Sequence, residues 1–260
     1  MSAIHYYVLD SRQCTTPDQL LLELEKLEDA LAPEETEDTW GKFEKALLRF
    51  AAVTRGGGYR HTDVYLQGVG IKGLGDKIVR CVSTCLTRAR RVVLRRSIDI
   101  LINETTLDLP RQMLSDRGKL SGVATDFLTS MAPRLASSFI PLISLYVPPL
   151  IKLLARPNKV YLRRAEKSLL TIAQYCPHPS FILIVKSGVD DKSDTCRRAC
   201  GTVLSYVLQE WGMATLGNKG LGEVEEAIKR MATERDAEVR KIAKGMWEVY
   251  NERFADRVIG

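Results

Sequence analysis

The sequence predicts an all-α fold, a solenoid of HEAT-type helical hairpins. Three observations carry this. Apolar residues recur at the helical period through most of the chain, period-two alternation never holds for long, and one helix-start pattern returns several times. The pattern reads FEKALLRF (43–50), LRRSIDIL (94–101), LRRAEKSL (162–169), CRRACGTV (196–203) and VRKIAKGM (239–246). The starts lie 51, 68, 34 and 43 residues apart. Irregular periods of this size suit hairpin arrays, in which each hairpin buries its apolar face only against its neighbours.

Taken in order, each patterned helix follows a polar segment, and each polar segment follows an apolar helix candidate. Those candidates are 18–31, 63–86, 139–155, 180–188 and 222–232. The polar segments are EETEDTW, TRAR, RPNKVY, DDKSDT and ERDAE. The architecture reads helix, polar turn, helix, repeated, with the turns on one edge. Asp194/Thr195 and Asp236 suit N-caps, because their side-chain oxygens can accept free backbone N–H groups. The 68-residue gap leaves room for one more helix, GKLSGVATDFLTSMAPRL at 118–135. SFILIVKSG (180–188) is the best strand candidate and could equally be a short buried helix.

Three stripes predict core. Leu162, Ala165, Leu169 and Ile172 form one, and Cys196, Ala199, Cys200, Val203, Val207 and Trp211 a second. Val239, Ile242, Ala243, Met246, Trp247, Tyr250 and Phe254 form the third, so Trp211 and Trp247 are expected in the interior. Trp40 can join Phe43, Leu47 and Phe50 on a stripe, yet it directly follows an acidic loop. Spacing favours core for it.

The 260 residues carry a net charge of +6, which points to an acidic partner without choosing one. Cys81/Cys85 and Cys196/Cys200 read as small core residues in a reducing compartment. The three His stand apart from both pairs, so no metal site is expected. MSAIHYYVLDSRQC lacks the layout of a signal peptide. The uncharged run from 135 to 151 is short for a membrane span and contains Pro141, Pro148 and Pro149. These features lead to an expectation of cytosol or nucleus and of no membrane partner.

GVGIKG (68–73) matches a dinucleotide fingerprint in letters, but the strand that mechanism needs is missing. Glycines here fit close helix packing better, and no cofactor is expected. TRARRVVLRR (87–96) is a basic cluster near a helix start, without the aromatic array of a nucleic-acid surface. No nucleophile–base or paired-carboxylate constellation can be placed on neighbouring turns, so no enzyme activity is expected.

KSDTCRRACGTVLSYVLQEW (192–211) and IKRMATERDAEVRKIAKGMWEVYNERFADR (228–257) resemble the later repeats of a TOG domain. The CLASP (cytoplasmic-linker-associated protein) branch is the nearer likeness, and ETEDTWGKFEKAL (35–47) resembles the first TOG loop. The resemblance covers most of 17–257. It implies an N-terminal extension over 1–16 and a paddle-like domain over 17–260, with an unusual inserted element at 105–138. It further implies a loop edge that binds αβ-tubulin or the microtubule lattice. Carried over by position, the contacts are Trp40 and Lys42, Arg88 and Arg90, Asn158 and Lys159, Lys192 and Arg197, and Arg240. In this reading Trp40 is an exposed anchor. Where a basic residue is common three positions after it, this chain has Phe43.

The implied role is microtubule stabilisation by catastrophe suppression and rescue. The implied location is the cytoplasm, on microtubules and the mitotic spindle. Two rival readings stand beside it: a HEAT scaffold for another protein, such as an end-binding or kinetochore factor, and a nucleic-acid-binding helical repeat.

Overall fold

The computed structural model describes residues 11–34, 36–70, 74, 77–78 and 111–255, with side chains from 118 onward in the last stretch. Among the described residues the regular structure is helical, without a strand. The chain forms two compact units, Met1–Arg134 and Leu135–Gly260.

In the first unit, α1 (Pro17–Leu31) starts where the Thr16 side chain accepts the Gln19 N–H and Pro17 supplies a helical φ without wasting a donor. Helix α2 (Glu37–Arg55) opens with Thr36 donating its N–H to Thr39 Oγ1 at 2.8 Å. Glu37 and Asp38 in its first turn complement the positive end of the helix dipole. The two helices pack as a hairpin that buries Leu20, Leu24, Leu27, Phe43, Leu47 and Phe50. Trp40 is on this stripe too, only 6% exposed. The core position that spacing favoured is the one observed; the exposed anchor implied by the resemblance is not. Phe43 and Leu47 follow Trp40 by about one and two helical turns, so its ring turns inward with them.

Behind the hairpin, α3 (Thr62–Val69) and α4 (Arg111–Leu135) complete the core. Phe50 stacks on Tyr65 of α3 at 5.6 Å and meets Phe127 of α4 edge-on at 5.8 Å. The Tyr65 hydroxyl shares a 2.7 Å hydrogen bond with Thr54, which satisfies both buried groups. Gly68 fits the packing reading of GVGIKG: a Cβ there would stand 2.4 Å from the Leu24 side chain. Residues 71–73 of that motif lie outside the described residues, as do Cys81, Cys85 and the patterned segment at 94–101. The 118–135 segment is helical as expected, as the later part of α4.

Residues 11–16, expected as an extension, lie along α2. The Arg12 and Cys14 N–H groups donate to the Ala52 and Gly56 carbonyls, and Cys14 is buried. Glu23 ties the hairpin together. Arg49 donates to both of its carboxylate oxygens, at 2.6 and 2.8 Å, and Lys26 adds a third bond at 3.0 Å. The Arg49 guanidinium is the main cause holding the Glu23 carboxyl down at about 2, with Lys26 assisting.

The second unit is a row of three hairpins: α5 (Ile143–Leu154) with α6 (Lys159–Tyr175), α7 (Pro179–Lys186) with α8 (Asp194–Glu210), and α9 (Met213–Ala232) with α10 (Ala237–Arg253). The first helices stack in one layer, α5 on α7 on α9, and the second helices in another, α6 on α8 on α10. This is the HEAT-type solenoid that the repeat pattern predicts. The 180–188 segment resolves as helix: His178 caps α7 through Nδ1 and Pro179 sits in its first turn. Near the start of α9, Gly217 holds φ 60°, a left-handed conformation that breaks the helix.

By length and composition, Gly118–Leu154 could cross a membrane. A 3₁₀ segment at Ala136–Leu142 interrupts it, and Phe127, Leu128, Met131, Tyr146 and Leu150 along it are buried in the protein.

The core stripes hold in their central residues, with Leu162, Ile242 and Phe254 half-buried and one residue to be corrected. Trp211 is buried, its Nε1 donates to the Ala173 carbonyl at 2.9 Å, and its ring meets Phe181. Trp247 is not in the core; it is 45% exposed. The buried stripe of α10 is Val239, Ala243, Met246 and Tyr250. Trp247 stands about 100° around the helix from Met246, on a flank outside that stripe.

Two outcomes test this account. Trp211→Ala lowers stability by about 3–5 kcal/mol, as for truncation of a large core side chain, whereas Trp247→Ala stays within about 1 kcal/mol. Urea melts of the two variants check the contrast, and equal losses would reassign both residues. The second outcome concerns pH. Because Glu23 titrates lower in the folded state, its contribution is full above its ordinary value of 4.5 and is lost as pH falls toward about 2. Glu23→Gln therefore melts lower at neutral pH and shows a shallower acid loss over that window than the parent. Parallel acid profiles would remove Glu23 as the tie.

Candidate functional site

The carried-over residues of the second unit gather at three polar turns, 155–158, 187–193 and 233–236, one in each hairpin: Asn158 and Lys192 lie in the turns, and Lys159, Arg197 and Arg240 in the first turn of the helix that follows. Each polar turn joins the first helix of its hairpin to the second, so all three emerge at the same end of the row. Caps fix where they end. The Asn158 side chain accepts the Val160 N–H at 2.9 Å. Asp236 accepts from Glu238 and Val239 at 2.8 and 3.1 Å, as its sequence position suggested. The cap of α8 is Ser193 rather than Asp194 or Thr195, a shift of one or two residues. Asp194 and Thr195 already lie inside the helix, and the Ser193 N–H is taken by Asp191.

Side chains brace neighbouring turns. Thr195 donates its hydroxyl to the Leu154 carbonyl at 3.0 Å, linking the first turn to the second. Arg198 reaches from the second to the third. Its Nε donates to Asp236 at 3.2 Å, and its Nη2 donates both to the same carboxylate and to Asp194, the latter at 3.1 Å. The Arg198 guanidinium is the first cause holding the Asp236 carboxyl down at about 2, ahead of the two capped N–H groups. Arg197 pairs with Glu234, and Arg230 with Asp190 at 2.6 Å.

Two arginines hold their own turns in the same way. Arg197 donates to the carbonyls of Asp191 and Lys192, and Arg240 to those of Glu234 and Arg235. In both cases the acceptors stand six and five residues earlier, so the two occupy equivalent positions in successive repeats. Arg197 is thereby mostly withdrawn from solvent, its side chain 16% exposed. Arg240 stays exposed.

The charge left facing outward is positive. The acids of these turns are engaged in caps and ion pairs, while Lys159, Lys192, Arg235 and Arg240 are exposed. Val160, beside Lys159, is 53% exposed and adds an apolar element. Neither Arg235 nor Val160 was singled out from sequence, although both lie in the quoted segments ERDAE and RPNKVY. In the first unit, Lys42 is exposed on α2 and Trp40 is buried beneath it. Arg88 and Arg90 lie outside the described residues. Among the described residues no group of three or more His, Cys, Asp or Glu is placed to hold a metal ion. The edge offers cations, turn backbone and a small apolar patch, which suit adhesion to an acidic surface.

Comparison with known proteins agrees with this architecture. No curated protein matches the sequence. Among solved structures, the TOG domain of Zyg9 from C. elegans superposes with a TM-score of 0.56 at 13% identity, over 96% of this chain and 81% of that one. A second, described as "TOG-tubulin binding specificity promotes microtubule dynamics and mitotic spindle formation", gives a TM-score of 0.50 at 14% identity, over 93% and 82%. At such identities the likeness is one of fold. The CLASP N-terminal family model matches residues 98–257, more than half of the chain, and on that match the chain belongs to the CLASP N-terminal family.

Proposed function

We propose that the protein is a non-enzymatic binding module whose turn edge in the second unit holds αβ-tubulin, as free dimer or in the microtubule lattice. The observation that carries the reading is the braced row of turns, with Lys159, Lys192, Arg235 and Arg240 exposed and the acids of the same turns neutralised. Membership of the CLASP N-terminal family supports it, as does the TOG-like fold. The bracing matters energetically. A pre-shaped edge loses little conformational entropy on binding, so a few exposed cations suffice to set encounter rate and register.

In this reading Arg197 acts as a positioning residue, and Lys42 is the contact retained for the first unit. Trp40 is withdrawn as a contact, because a side chain 6% exposed has little surface to offer. The finer role is stabilisation of microtubules by suppressing catastrophe and promoting rescue. The site of action is the cytoplasmic microtubule array and the spindle, with end-binding or kinetochore proteins as further partners.

Gel filtration with purified tubulin, backed by microtubule co-sedimentation, is the direct test. The parent shifts the tubulin peak at low salt and the shift weakens as salt rises, since exposed charges are screened over about 8–10 Å near physiological ionic strength. Lys159→Glu with Lys192→Glu abolishes the shift and leaves the melting temperature unchanged. Retained binding in that double variant would overturn the turn-edge reading. Trp40→Ala makes the opposite pairing: it loses about 3–5 kcal/mol of stability, and what remains folded binds as the parent does. A stable Trp40→Ala protein that no longer binds would restore Trp40 to the site.

A further inference from the structure

Repeats of a solenoid bury their apolar flanks against neighbouring elements. One flank of the α9–α10 hairpin stays open. Between α9 and α10 runs an open groove of about 550 Å³. Ile228 and Ala243 form its buried floor. Trp247 stands on its wall, 45% exposed, and its ring lies parallel to Tyr250 at 5.6 Å with an interplanar angle of 7°. Tyr250 is locked in place by its hydroxyl, which donates to Glu225 at 2.6 Å. The exposed aromatic face is therefore a rigid one, held before any partner arrives.

The rim gives the partner's charge. Lys229 and Lys244 are both exposed along the groove; Lys244 also meets Glu248 at 4.0 Å, a solvent-screened pair that leaves its side chain 79% exposed. Arg240 also lines it but spends one nitrogen on its own turn. The one lining acid, Glu225, is committed to Tyr250. A channel between two helices, with an apolar floor, an aromatic wall and a basic rim, has the shape and chemistry that accept a third helix.

We infer that this groove is a docking site for an acidic amphipathic helix supplied by a partner protein. Apolar side chains at positions i, i+3/i+4 and i+7 lie on the floor, one of them against the Trp247 face. Flanking carboxylates meet Lys229 and Lys244. A second copy of this chain fits less well, because a symmetric pairing through the groove would bring the two basic rims together. The proposal is testable apart from the tubulin reading: Arg240 borders both sites, but Trp247, Lys229 and Lys244 lie on the helix flanks outside the three turns.

The test uses the full chain and a synthetic amphipathic peptide of about five helical turns, ~18 residues, with Leu and Phe on one face and Glu on the other. The control peptide carries Lys in place of Glu. Binding is read by anisotropy of the labelled peptide and by acrylamide quenching of the protein's tryptophans. Trp247 is the exposed one among Trp40, Trp211 and Trp247. The acidic peptide binds saturably and protects Trp247 from quenching, and the Lys peptide does not. Trp247→Ala weakens binding tenfold or more, as loss of an aromatic anchor does, and so does Lys229→Glu with Lys244→Glu. Both variants melt as the parent. Absence of saturable binding, equal affinity for the two peptides, or unchanged affinity in Trp247→Ala would each overturn the proposal. So would a concentration-dependent dimer broken by Trp247→Ala, which assigns the groove to a second copy.

Discussion

A two-helix hairpin has more apolar surface than its own two helices can cover, and the rest of this structure follows from that constraint. In the second unit the surplus goes to the neighbours: α7 lies between α5 and α9 in one layer, and α8 between α6 and α10 in the other. Stacking of this kind fixes direction as well as position. Helices that repeat in parallel layers bring their connections out at the same end, so an edge of turns is a by-product of burying Leu169, Val203 and Met246. The candidate site therefore owes its existence to the core, although none of its exposed residues is in the core.

Burial alone leaves the turns adjacent but loose, and the arginines change that. Arg197 and Arg240 do for a turn what a cap does for a helix end, satisfying two carbonyls that would otherwise face solvent at the rim. Arg198 works across turns, joining Asp194 and Asp236. An isolated exposed ion pair contributes little stability. A network that also closes turns and caps a helix contributes shape, and shape is what a binding edge requires. The same network consumes the local acids, so the net charge of the edge is set by pairing rather than by composition. The stretch 187–195 contains three aspartates and one lysine, yet Lys192 is the exposed cation there.

Much of this was legible in the sequence, because a helical stripe is a one-dimensional signal. The stripes over 162–172 and 196–211, the polar turns, the extra helix at 118–135 and the Asp236 cap could all be read from spacing. What spacing could not supply was the partner of each side chain. Arg197 and Arg240 occur in the same local pattern, and only the fold distinguishes them: Glu234 of the neighbouring hairpin draws Arg197 inward, while Arg240 stays exposed. The cap read at Asp194/Thr195 falls instead on Ser193, whose N–H is held by Asp191 two residues earlier in the same turn. The mixed character of 180–188 was settled by His178 and Pro179, which start a helix and suit no central strand.

The two tryptophans state the limit most clearly. Spacing places both on apolar stripes, and only the resemblance puts Trp40 toward solvent. The structure buries Trp40 and leaves Trp247 45% exposed. A helical stripe is wide enough to hold a central line and two flanks, and a flank is buried only if some other element covers it. Trp40 lies close to the central line of α2 with Phe43 and Leu47, facing α1, and is covered within its own hairpin. Trp247 lies on a flank of α10 that its own hairpin does not cover, and it is 45% exposed. Its ring is nonetheless held flat against Tyr250 in an ordered position. An apolar residue whose burial the hairpin itself guarantees is structural. One whose burial awaits a neighbour, and which is kept rigid meanwhile, is placed to recognise that neighbour.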